Sequence, residues 1–185
     1  ALGSICMSRR WRTTSNNYPS MYFLNVGKSA SGKEHARTAI EHALEASKLE
    51  HLIGPSGYTS DSAVFSTLMM QPAHITIIDE FGAMLGNNRA QNNFHKRQSL
   101  DLLTQLWGLS HSVVRAQSYS TMTLNKKQRE DIQKTIIRNP AVTILGMTTP
   151  KTFYSSLDEQ SIEGGFLNRL MIVESDIGAQ ERGEF

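Results

Sequence analysis

The chain has 185 residues, 39% of them hydrophobic, a net charge of only +2 and one cysteine. That length predicts one domain with a sizeable core, and the charge excludes a globally basic nucleic-acid coat. Cys6 cannot form an internal disulfide, which fits a reducing compartment, and no apolar run reaches membrane-spanning length.

In chain order, residues 1–10 are predicted as a short helix and residues 13–19 as a polar turn, so that 1–20 lead into a core at 21–185. Arg9, Arg10 and Arg12 follow the first apolar stretch instead of preceding it, which argues against a signal peptide. Strand-like Met21 to Val26 precedes a glycine-bounded loop, and a helix is predicted over about 34–48 with Ala36, Ile40, Ala43, Leu44 and Ser47 on one face. His51-Leu52-Ile53 reads as a short strand. Ser60 or Asp61 caps a helix carrying Ala63, Val64, Leu68 and Met69, which Gln71-Pro72 ends. Met69-Met70 and Trp107 read as core. His74 to Ile78 is a buried strand closed by Asp79-Glu80. A helix is expected over about 90–108 with Leu100, Leu103 and Trp107 inward, extended chain over 112–120 and a polar helix over 125–138. Strands at 142–147 and 170–173 flank a short helix at about 151–157. Alternating strands and helices predict an α/β fold with a mainly parallel sheet. The chain has no initiator Met and no closing element after Glu181-Arg182-Gly183-Glu184-Phe185, and so reads as a fragment of a longer protein.

The densest chemical signal is Gly27-Lys28-Ser29-Ala30-Ser31-Gly32-Lys33, between a strand and a helix. Glycines at both ends let several N–H groups turn toward one phosphate, and the helix start adds its unpaired N–H groups. Lys33 is placed to reach the outer phosphates as a point charge. The next residue is Glu34, where a hydroxyl that ligates Mg²⁺ is usual; a carboxylate also ligates hard metals but brings negative charge near phosphates.

Asp79 and Glu80 end a buried strand, where open α/β sheets place ligands. Beside a phosphate loop, the first acid suits Mg²⁺ and the second suits a water molecule; without it the pair would simply open a polar turn. Thr148-Thr149-Pro150 ends the next strand, with Thr149 read as a γ-phosphate sensor, a helix cap, or both. Arg169 lies before the last strand and reads either as an arginine aimed at a neighbouring subunit's phosphate or as a surface residue beside Glu174. The basic stretch 111–138, with Arg115, Lys126, Lys127 and Arg129, reads as a nucleic-acid contact or as a solvated helix face. His35, His42 and His51 have no metal-site spacing.

Taken in order, Ser8-Arg9-Arg10, Ser29-Ala30-Ser31-Gly32-Lys33, Asp79-Glu80-Phe81-Gly82 and Gly165-Phe166-Leu167-Asn168-Arg169 resemble the motifs of the additional-strand class of P-loop ATPases. Within it, the chain resembles the phage and prophage ATPases of the primase-helicase-associated type. The resemblance implies a three-layer P-loop NTPase fold with an AAA+/RecA-like core, and the ATP-hydrolysing core of a replication helicase or primase-associated motor. It implies ATP and Mg²⁺, with residues Gly27 to Glu34 as the binding loop and Lys33, Asp79, Glu80, Thr149 and Arg169 as the working residues; Asp79 and Glu34 would hold the metal. It also implies a homo-oligomer, often a hexamer, whose Arg169 completes a neighbour's site, and DNA in a pore lined by Arg115, Lys126 or Lys127. The expected location is the bacterial or phage-infected host cytoplasm. A slow nucleotide switch or loader, a packaging or repair ATPase, and a non-enzymatic assembly module with a vestigial loop are the rival expectations.

Overall fold

The middle of the sheet is an eight-residue strand buried along its whole length, and the other elements are arranged around it. The computed structural model describes residues 1–29, 31–86, 94–115, 136–157 and 164–176. The chain runs through α1 (Leu2–Met7), β1 (Tyr22–Gly27), α2 (Lys33–Ala46), a 3-10 turn (Glu50–Leu52), α3 (Asp61–Met70), β2 (Ala73–Ile78) and α4 (Phe81–Gly86). It continues through α5 (Phe94–Leu109), β3 (Val113–Arg115), β4 (Ile136–Arg138), β5 (Ala141–Thr148), α6 (Pro150–Ser156), a second 3-10 turn (Leu167–Arg169) and β6 (Leu170–Ser175).

Four strands form a parallel sheet in the order β2-β5-β1-β6, and β3 and β4 form a separate antiparallel ribbon. Parallel neighbours need crossover connections, and these lay helices on both faces. The side-chain alternation of β5 shows the two layers. Val142 and Ile144 join a core with Leu24, Val26, Leu68 and Leu103, while Leu145 and Met147 face Ile5 and Leu44 of α1 and α2. The molecule is thus α/β, with a parallel sheet between two helical layers.

Several sequence expectations are corrected here. His51 and Leu52 lie in the 3-10 turn, and only Ile53 touches the sheet, through a single parallel bridge to Ile75. Met69 and Met70 are 43% and 82% exposed and are not core residues, since they fall on the outer side of α3. Ser47 is exposed and serves as the C-cap of α2 instead of facing inward. Ile136–Arg138 is a strand, paired with Val113–Arg115; the rest of the polar helix expected over 125–138, and the extended chain expected after Arg115, lie outside the described residues. Trp107 does pack on the core, edge-on to Tyr22 at 5.2 Å between ring centres.

No helix among the described residues is long and apolar enough to cross a membrane.

Candidate active site

The carboxyl ends of β1, β5 and β2 share one rim, because the register sets Val26 beside Thr148 and Ile78 beside Gly146. A cleft of about 680 Å³ opens there. Its lining brings together Ser29, Ser31, Gly32, Lys33 and Glu34 from the loop and α2, Asp79 and Glu80 from the end of β2, and Thr148 and Thr149 from the end of β5.

The loop geometry follows from its two glycines. A Cβ on Gly27 would lie 3.0 Å from Ser31 Oγ and 3.4 Å from Lys33 Cδ, so a side chain here would press on the residues that the loop folds back against it. Gly32 has φ +78° and is the N-cap of α2. It has no side chain to cap the helix, so the first-turn N–H groups of this 14-residue helix have no side-chain partner. Such a terminus favours an anion. Lys33 Nζ donates to the carbonyls of Gly27 at 2.6 Å and Thr148 at 3.0 Å, tying β1 to β5. An ammonium carries three protons, so one remains for a ligand.

On the opposite wall, Asp79 and Glu80 are both exposed to the cleft. Glu80 has φ +53°, a left-handed conformation that a residue with a side chain adopts at a cost of about 1–3 kcal/mol. Two hydrogen bonds hold it there: its N–H donates to Asp79 Oδ1 at 3.0 Å, and its carbonyl accepts from the Ala83 N–H at 2.8 Å. The following helix is fitted to β5 and α6 by glycine. A Cβ on Gly82 would come within 2.5 Å of Thr148 Oγ1 and 2.9 Å of Thr152 Cγ2, and one on Gly86 within 2.9 Å of Ser156 Cβ. This close seating fixes the two carboxylates relative to the end of β5.

Thr149 lines the cleft and also caps α6, its Oγ1 accepting from the Thr152 N–H at 3.3 Å and lying 2.9 Å from Thr152 Oγ1. Arg169 is not in the cleft. Its guanidinium turns back to donate to the Gly165 carbonyl at 2.5 Å, and its buried Nε has no hydrogen-bond partner. It does not pair with Glu174, which instead accepts from the Tyr154 hydroxyl at 2.7 Å. Lys28 is exposed outside the cleft lining, Ala30 lies outside the described residues, and so do Lys126, Lys127 and Arg129. Arg115 is exposed on β3, in the separate ribbon.

Two lining residues, Met147 and Thr152, carry no site role in the sequence, and a third, His35, enters there only as a histidine without metal-site spacing. Thr152 could have been found from its spacing of three from Thr149 at a helix start. Among the described residues, no three His, Cys, Asp or Glu side chains converge as a metal cage. Mg²⁺ is commonly held by one or two carboxylates together with substrate phosphates, and Asp79 and Glu34, on facing walls of the cleft, fit that mode. The chain matches no protein-family model and no curated protein.

Proposed function

We propose that the chain is a P-loop NTPase core that binds and hydrolyses ATP, and that it serves a phage-type replication helicase or primase-associated motor. The observation that carries this reading is that Lys33, Asp79 and Glu80 line one cleft, with β5 lying between β1, which leads into the loop, and β2, which leads into the two acids.

In this reading the loop N–H groups and the third proton of Lys33 hold the outer phosphates. The metal ion, held by Asp79 with Glu34, would offset phosphate charge when bound. Glu80 accepts a proton from the water that attacks the γ-phosphorus, as the bond to the β,γ-bridging oxygen breaks and ADP and phosphate form. Thr149, fixed by its capping bonds in the lining of the cleft, would sense the γ-phosphate. Arg169 acts on the site of a neighbouring subunit in a homo-oligomer, and DNA is the track.

A second reading, a slowly hydrolysing switch, is favoured by Glu34, whose carboxylate lines the cleft at the position where a hydroxyl is usual. One experiment separates the readings: ATP binding by calorimetry and turnover by phosphate release, for the unmodified protein and Lys33→Ala. Binding and turnover that both vanish in Lys33→Ala support the ATPase, and binding without turnover supports the switch. Absence of ATP binding by the unmodified protein would sink both.

A further inference from the structure

At the other end of the sheet, about 25 Å from the cleft along the eight residues of β5, lies a basic and aromatic surface that the ATPase reading does not use. The first 33 residues contain Arg9, Arg10, Arg12, Lys28 and Lys33 and no acid. After α1 the chain turns sharply: Arg9 has φ +62°, and the N–H groups of Arg10 and Trp11 both donate to the Met7 carbonyl, at 3.2 and 3.1 Å. The turn holds Trp11 against the end of α1, with its side chain in the open, 68% exposed beside a 44% exposed Met7. Trp11, Met7, Arg12 and Tyr18 line an apolar groove of about 280 Å³, small for a drug-sized ligand and suited to a single ring system.

The surroundings of this groove are cationic and built. Arg12 is steadied by Asn16 Oδ1 at 2.9 Å, and Arg9 Nη2 donates to the Arg138 carbonyl at 3.4 Å, which joins the turn to the β3/β4 ribbon. Arg115 and Arg138 share the exposed face of that ribbon. Among the described residues the one ion pair is Arg37 with Glu41, so none of these arginines is neutralised by a carboxylate there.

We propose that residues 9–12 and the groove beside them, extended by Arg138, bind single-stranded nucleic acid: a base stacks on Trp11 and the flanking arginines contact successive phosphates. One aromatic ring flanked on both sides by guanidinium groups, Arg9-Arg10-Trp11-Arg12, matches a base flanked by the phosphates of a single strand. A membrane surface is the poorer match, because the adjoining helix has six residues and buries Ile5 within the protein, leaving no long apolar face to insert. The proposal does not depend on nucleotide binding in the cleft.

The test uses fluorescence anisotropy with labelled oligothymidylate and oligouridylate of about 15 nucleotides, within the usual site size, at several salt concentrations. The unmodified protein is expected to bind at least one of them, with quenching of Trp11 emission while Trp107, packed on Tyr22, serves as the internal reference. Trp11→Ala should weaken binding about tenfold and Trp11→Phe much less. The combined Arg9→Ala, Arg10→Ala and Arg12→Ala variant should flatten the logarithmic salt slope by about 2, as loss of three phosphate contacts requires. All four side chains are exposed, so thermal unfolding of these variants should be unchanged. Lys33→Ala should bind the oligonucleotides as the unmodified protein does, which separates this surface from the cleft. Equal binding by all the variants, no oligonucleotide binding at all, or binding to anionic phospholipid vesicles alone would overturn the proposal.

Discussion

The ring of Phe81 lies so close over Gly146 that a Cβ on the glycine would come within 2.7 Å of its Cγ. Phe81 is fully buried and stacks on Phe166 at 6.1 Å, so it has little room to retreat. Gly146→Ala is therefore expected to destabilise the fold by about 1–3 kcal/mol, the usual cost of overpacking. Because Phe81 directly follows Glu80, the same substitution should also displace the two carboxylates. Urea denaturation reads the first effect; an unchanged midpoint would show that the ring can move aside.

Replacing Glu34 with Thr restores a hydroxyl at the second position of α2 and removes a negative charge from the cleft wall. Under the switch reading, in which the Glu34 charge slows hydrolysis, Mg²⁺-dependent turnover should rise by about tenfold, equivalent to roughly 1.4 kcal/mol in the barrier. Steady-state phosphate release measures it. A fall in turnover would instead favour the ATPase reading, in which the Glu34 carboxylate shares the metal ion with Asp79.

Among the described residues the Arg169 side chain makes a single hydrogen bond, to the backbone of its own loop, so Arg169→Ala should change stability little. If it serves a neighbour's site, turnover should fall by about a thousandfold or more while ATP binding persists. Mixing Arg169→Ala with Lys33→Ala subunits should restore part of the activity, since each supplies what the other lacks. Mixtures no more active than the separate variants would rule out action across a subunit boundary.

Stability should depend on pH through His74. This imidazole is completely buried, and burial holds its pKa below the ordinary value of 6.5. Its Nδ1 faces the Gln71 carbonyl at 2.8 Å and so carries the proton, leaving Nε2 to accept from the Tyr58 hydroxyl at 2.5 Å. Tyr58 in turn accepts from Thr76 at 2.7 Å. Above pH 6.5 the imidazole is neutral in both the folded and the unfolded chain, and its contribution is constant. As pH falls below 6.5 the unfolded chain takes up a proton that the folded protein refuses, so stability declines toward the lowered folded-state pKa. Urea midpoints at pH 7.5 and 5.5 should show the fall. Tyr58→Phe, which leaves Nε2 buried without a donor, should cost about 1–3 kcal/mol.

How much could be read in advance depended on how local each feature is. The strand, loop and helix around Lys33 and the acids at 79 and 80 were legible because each is written in consecutive residues. The left-handed backbone of Glu80 was not, because glutamate rarely adopts it and the hydrogen bonds that hold it there, to Asp79 and from Ala83, form only once the chain has turned into α4. Val113–Arg115 pairs with Ile136–Arg138 across a gap that local periodicity does not bridge, and a polar helix was expected where the second strand lies. Met69 and Met70 misled because polar and apolar residues are spread around α3 (Asp61–Met70) with little directional bias, so its exposed side cannot be told from its buried side by pattern. The Tyr58, His74 and Thr76 network was invisible for the same reason as the glycine contacts: its partners meet only once β2 is in the sheet.

The placement of β5 has a mechanical consequence. It is hydrogen-bonded to β1 on one side and β2 on the other along most of its length; it starts three residues after Arg138, which the arginine-rich turn contacts, and ends at the rim beside Lys33. A pull along that strand would load two ladders in shear, with many bonds resisting together. The two ends of the sheet should therefore shift as one body, like the ends of a rod, so that a tug applied at residues 9–12 arrives at Thr148 as displacement and not as stretch.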